Sequence, residues 1–104
     1  MIRTVLYLRP KGGDGDAVAE FYRRHGVLER AVRQEGCLGA ELQLPASGAG
    51  DVLVTATWRD ADAYQGWLDN PWRTQNGEEL AALVEDFETG IKGELYEIAV
   101  EARP

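Results

Sequence analysis

The order of apolar and polar positions along the chain predicts strands and helices in alternation. Residues 2–9 mix β-branched and apolar side chains and stop at Pro10, which predicts a first strand. KGGDGD, residues 11–16, reads as a turn, with Asp14 or Asp16 able to cap the next helix. From there Val18, Phe21, Tyr22, Leu28 and Val32 fall on one stripe of a long helix. Gly26 can bend that helix and Gly36 ends it. Leu38, Ala40, Leu42 and Leu44 alternate with Gly39, Glu41 and Gln43, predicting a second strand over residues 37–45. Val52, Val54, Ala56 and Trp58 alternate with Leu53, Thr55 and Thr57 in a third, and the Gly-containing loop between the two makes a hairpin. Asp60 stands where an N-cap belongs, before a short helix with Ala63, Tyr64, Trp67 and Leu68 on its apolar face. Asn70-Pro71 is a second start signal, and Leu80, Leu83, Val84 and Phe87 form the stripe of a further helix that Thr89-Gly90 stops. Residues 94–101, ELYEIAVE, predict the last strand.

The resulting order is β-α-β-β-α(α)-β. Two βαβ units with right-handed crossovers give an α+β fold of the ferredoxin-like kind, a four-stranded antiparallel sheet with helices on one face. The first strand is apolar on both parities, with Ile2, Leu6 and Leu8 on one side and Val5 and Tyr7 on the other. A strand apolar on both faces needs both covered. At 104 residues, read as a single domain over 1–104, the second cover is expected to be another copy of the chain, a homodimer packed sheet to sheet.

Composition narrows the partners. With 44% hydrophobic and 28% charged residues the chain reads as globular. A formal charge of -7, with no basic cluster to offset it, argues against nucleic acid or an anionic membrane surface. No apolar run approaches the roughly 20 residues of a membrane span, and MIRTVLYLRP lacks the apolar core and cleavage site of a signal peptide. The expectation is a cytoplasmic protein. The single Cys37 cannot close an internal disulfide and is read as a small core residue; no CxxC or HxxxH spacing marks a metal site.

All three tryptophans fall in the stretch WRDADAYQGWLDNPWR, residues 58–73. A strand that ends in Trp, the helix start WRDADAY and then W-L-x-x-P resemble the antibiotic biosynthesis monooxygenase (ABM) family. EFYRRHG in the first helix and EGCLGAEL at the second strand fit it as well, so the resemblance spans essentially the whole chain. It implies a dimeric α+β barrel with a pocket between sheet and helices in each subunit. The family contains several chemistries, so fold alone does not fix function. In its quinone-forming branch, which oxidises anthrone-type polyketides with O2 and no cofactor, a Trp at the end of the third strand and a Tyr in the next helix line the site. Trp58 and Tyr64 match them. That branch also has an Asn four residues before the Trp, where this chain has Val54, and an Arg that aligns near Gly77; Arg73 is the nearest substitute. In the haem-degrading branch Trp67 matches a Trp on the short helix. Its axial His would fall at Gly77, however, and its first-strand Asn is missing.

The expected function is therefore a cofactor-independent monooxygenase acting on a polycyclic aromatic substrate and O2, with no bound cofactor. The alternatives are a polyketide cyclase or isomerase, or a non-catalytic dimer that binds an aromatic ligand, with haem degradation behind these. Trp58, Tyr64, Trp67 and Trp72 can wall a slot for fused rings, or simply fill core space. His25 shares a stripe with Tyr22 and with Glu29 at i+4, an arrangement for an oriented general base or for a satisfied core histidine. The catalytic candidates are His25, Trp58 and Tyr64; the substrate-binding candidates are Tyr22, Trp67, Asn70, Trp72 and Arg73. Asn70 also suits a plain helix cap. Arg73, a cation in a first helical turn, wants an anion such as a phenolate or Asp69 beside it.

Overall fold

The structure is a computed structural model that describes residues 1–104. The strands are β1 (Ile2–Leu8), β2 (Cys37–Gln43), β3 (Val52–Trp58) and β4 (Glu94–Glu97), and the helices are α1 (Gly15–His25), α2 (Val27–Val32), α3 (Ala61–Leu68) and α4 (Gly77–Ala81). All pairings are antiparallel in the order β2-β3-β1-β4, the ferredoxin-like sheet that the element order predicts.

Registry explains the two faces. Ile2 opposes Trp58, Thr4 opposes Ala56 and Leu8 opposes Val52, so these residues share the face that the helices cover. Val5, Tyr7, Leu53 and Tyr96 take the other face, where Tyr7 and Tyr96 stay half exposed. Both parities of β1 are thus apolar for different reasons, one for the core and one for an uncovered sheet surface. No helix is long and apolar enough to cross a membrane.

Two buried clusters hold helices to sheet. Leu8, Val18, Phe21, Tyr22, Val52, Leu80 and Val84 form one at the start of α1. Ala31, Trp58, Ala63, Tyr64 and Trp67 form the other at the end of β3. Asp14, not Asp16, caps α1 through Ala17 N–H, and Asp60 caps α3 through Ala63 N–H, as its position before the apolar stripe predicts.

Several element boundaries differ from the sequence pattern. Gly26 adopts φ 61° and ψ 39°, ending α1 outright and starting α2 in a new direction, so Val32 is exposed instead of lying on a continuous stripe. The register shifts between Cys37 and Gly39, a bulge that turns Leu38 outward while Cys37 packs by Trp58. The helix expected through Phe87 stops at Ala81, because Val84 bridges to Pro10 and Asp86 takes φ 51°. Its apolar stripe still packs inward, with Leu83 and Phe87 against the first cluster. The last strand is four residues, not eight, although Ile98 N–H still bonds to the Met1 carbonyl.

Gly36 leaves the least room for a side chain of any glycine in the chain. It takes φ 86°, and a Cβ there would lie 2.5 Å from the Ala63 methyl carbon. Gly36→Ala is expected to destabilise the fold by about 2–4 kcal/mol, from left-handed backbone strain plus overpacking. Urea unfolding measures this directly; an unchanged midpoint would mean that β2 does not enter the sheet against α3 as described.

Candidate functional site

A cavity of about 880 Å³, counting its open mouth, lies between the sheet and the helices. Its origin is a row of small side chains. Ala40 on β2 opposes Ala56 on β3, which opposes Thr4 on β1. Where helices would otherwise rest on large residues, this row leaves space between the two core clusters. Ala31 on α2 and Gly77, at the start of α4, widen it from above. The aromatic walls come from both sides: Phe21 and Tyr22 from α1, Trp58 from β3, Tyr64 and Trp67 from α3, and Trp72 from the 3₁₀ turn Pro71–Thr74.

Each ring is fixed by a specific contact. Trp58 is 1% exposed, and its indole N–H donates to Thr4 Oγ1 at 3.1 Å inside the apolar layer. Tyr64 packs against Trp58 with ring centres 5.4 Å apart. The Tyr64 hydroxyl accepts the Gly93 N–H at 2.7 Å. Trp67 and Trp72 lie 6.3 Å apart, and the Arg30 guanidinium sits 4.7 Å from the Trp72 ring centre, within cation–π range. The rings are therefore core filler on one side and cavity wall on the other.

Arg73 is the only charged residue of the wall. Its guanidinium donates to the Ile91 carbonyl, and no carboxylate pairs with it. Burial weakens its hold on the proton, while the neighbouring Tyr64 and Tyr22 phenols act the other way. Burial pushes the Tyr22 phenol up to about 12, against the opposing pull of Arg73. Arg73 and Tyr64 also clasp the irregular segment before β4 to the cavity, at Ile91 and at Gly93.

The structure brings six of the eight expected site residues to this wall: Tyr22, Trp58, Tyr64, Trp67, Trp72 and Arg73. His25 and Asn70 are not among the lining residues. The His25 ring lies against Phe21, and its Nε2 is 2.9 Å from Glu79 Oε2, where Arg24 also pairs. The expected His25–Glu29 pair does not form, because the left-handed Gly26 breaks the helix between them and removes i,i+4 geometry. His25 thus loses its place as a base in the cavity. Asn70 is spent on local structure, its Oδ1 accepting the Trp72 N–H at 3.0 Å, the ordinary capping role. Thr4, Ala40, Ala56 and Asn76 are wall residues that sequence reasoning passed over. The alanines at inward strand positions were the available signal.

The sequence model for antibiotic biosynthesis monooxygenase matches residues 1–75. This chain belongs to that family. No curated protein matches the sequence. Among solved structures, an antibiotic biosynthesis monooxygenase homologue from Deinococcus radiodurans superposes with a TM-score of 0.68 at 24% identity, over 99% of this chain and 95% of the other. SnoaB, a cofactor-independent oxygenase from Streptomyces nogalater, gives 0.70 at 19% identity, over 96% and 94%. The heme-degrader MhuD from Mycobacterium tuberculosis gives 0.68 at 14% identity, over 99% and 100%. Proteins of different chemistry thus share this fold, and at these identities the likeness is one of architecture. Val54 and Gly77, the positions where the resemblance places an Asn and either an Arg or a His, both lie in the wall. No histidine does, so the axial ligand of the haem-degrading branch has no counterpart here.

The buried phenol has a pH signature. A Tyr22 pKa raised to about 12 in the fold, above the usual value near 10, means that the folded state keeps its proton longer than the unfolded state. Its stabilising effect is whole below pH about 10 and is lost as pH climbs toward about 12. Tyrosinate absorbance should show one late-ionising group that Tyr22→Phe removes, and the variant should lose part of the alkaline fall in stability. A variant that instead loses a group ionising near the usual value of about 10 would place the phenol in water.

Proposed function

We propose that this ABM protein binds a flat polycyclic aromatic of the anthrone polyketide type and oxidises it with O2 without a bound cofactor. The observation that supports this most is the composition of the cavity: aromatic walls on both sides, a floor of small residues and one lone cation, Arg73. Fused rings lie between Trp58, Tyr64, Trp67 and Trp72 on one side and Phe21 and Tyr22 on the other. Arg73 faces the oxygen on which charge develops. Once ionised at the ring carbon, the substrate passes one electron to O2, and the radical pair combines to a peroxide. Loss of water from the peroxide leaves the quinone carbonyl. The protein contributes exclusion of water, ring orientation and stabilisation of the anion. The wall offers no proton-accepting side chain at neutral pH. That observation favours, as second reading, a protein that holds such a ligand without turning it over.

Oxygen uptake with dithranol, a model anthrone, tests the proposal. Protein-dependent uptake above the spontaneous rate, with quinone appearing in step, is the expected result. Ala56→Leu should abolish it by filling the floor without disturbing the caps or the sheet. Arg73→Met should lower turnover by about 10²–10³-fold, the scale of losing a charge-stabilising donor. Binding of dithranol with no uptake by the wild-type protein would sink the oxygenase reading and leave the binding one.

We also propose that two chains pair through the uncovered sheet face. Val5, Tyr7, Leu53 and Tyr96 make its apolar part, and Gln43 Oε1 is buried on it without a donor. A partner chain would cover the former and supply the latter. Light scattering should give twice the mass of one chain, and Tyr7→Glu with Leu53→Glu should give a folded monomer; a monomeric wild type overturns the pairing.

A further inference from the structure

The cavity wall has one ionic charge and nothing beside it to take a proton. No Asp, Glu, His, Lys or Cys is among its lining residues. The single histidine is engaged with Glu79 and is not among the lining residues. Arg73 has no carboxylate partner, and a carbonyl is all that answers its charge. A cation in apolar surroundings without a counter-charge is an arrangement that a bound anion completes.

The hydroxyls around it are set up as donors. Tyr64 oxygen already accepts the Gly93 N–H at 2.7 Å, and Thr4 oxygen accepts the Trp58 indole N–H at 3.1 Å. With those lone pairs engaged, each O–H is left to donate elsewhere, and both residues line the cavity. The Tyr22 phenol also lines the cavity, and burial keeps it protonated through the physiological range. One cation and three hydroxyl donors therefore surround a space with no base.

The geometry points to a cavity that takes its ligand as an oxyanion, ionised by the electrostatics of Arg73 and the surrounding hydroxyls, with no protein side chain as the base. This rests on the cavity being the site for a flat aromatic, as proposed above. The bond that breaks is the acidic O–H of a phenol or the C–H alpha to a ring carbonyl. Its proton leaves to water through the open mouth, and the electron pair stays on the ligand, its density at the oxygen facing Arg73. The substrate class follows: flat phenols, enols and anthrones acidic enough to be ionised by one neighbouring cation. Neutral polycyclic hydrocarbons and weakly acidic alcohols are excluded. The pH at which the ligand reacts is then set by the bound ligand and not by a histidine.

The probe is alizarin, a flat hydroxyanthraquinone whose colour changes when its phenol ionises. The dye is titrated with acid and base, free and bound to the full chain, while tryptophan quenching reports binding separately. Bound alizarin should ionise at least about one pH unit below the free dye, the ordinary effect of an opposite charge close by. Arg73→Met should abolish the shift, Arg73→Lys should keep it, and His25→Ala should leave it unchanged. Circular dichroism confirms that each variant is folded. If the bound dye ionises at or above the pH of the free dye, or if a folded Arg73→Met keeps the shift, the inference is overturned. If alizarin fails to quench the tryptophans, the aromatic-site reading fails and this inference with it.

Discussion

A hydrogen bond within an otherwise apolar layer sets the geometry of everything above it. Trp58 ends β3 with the largest side chain available, and its indole N–H reaches diagonally across the strand pair to Thr4 on β1. A buried N–H without an acceptor costs about 1–3 kcal/mol, so the ring has one favoured orientation and not a family of them. Tyr64 packs on that ring, and α3 is positioned by it. The far wall of the cavity is in this sense built outward from one threonine.

The cavity exists because the sheet is small at its centre. Ala40 and Ala56 face each other across β2 and β3, with Thr4 next in the row, while the large side chains lie to either end. Helices that rest on two separated ridges of core span the gap between them. The chain thereby holds a cavity without a long loop. Arg73 and Tyr64, the groups that would meet a ligand, also hold the segment at Ile91 and Gly93. On the proposed reading, ligand contact and cavity closure are coupled through the same two side chains.

The family pattern and this chain part company at the polar positions. Val54 and Gly77 occupy wall sites without carrying any polar side chain. The charge enters from Arg73, in the turn after α3, and the hydroxyls enter from β1, α1 and α3. A shared fold thus leaves the polar groups of the wall undetermined, which is why architecture alone does not assign a reaction.

The sequence by itself determined the elements whose signals are local. The alternating strands, a cap at Asp14 or Asp16, the Asp60 cap and the clustering of aromatics in residues 58–73 depend on nearest neighbours and appear where the pattern puts them, whereas the Asn70-Pro71 start yields only the 3₁₀ turn Pro71–Thr74, with α4 beginning separately at Gly77. From these the four-stranded sheet and its one-sided helices followed. Only tertiary structure decided what depends on distant chain segments or on left-handed backbone. Gly26 could continue, bend or end a helix by composition alone; its φ of 61° ends it and parts His25 from Glu29, and His25 meets Glu79 instead. The stripe from Leu80 to Phe87 has helical spacing, yet the bridge from Val84 to Pro10 takes it out of the helix while leaving it in the core. Thr4 and the two alanines look unremarked in one dimension. Strand register makes them one row, and that row makes the cavity.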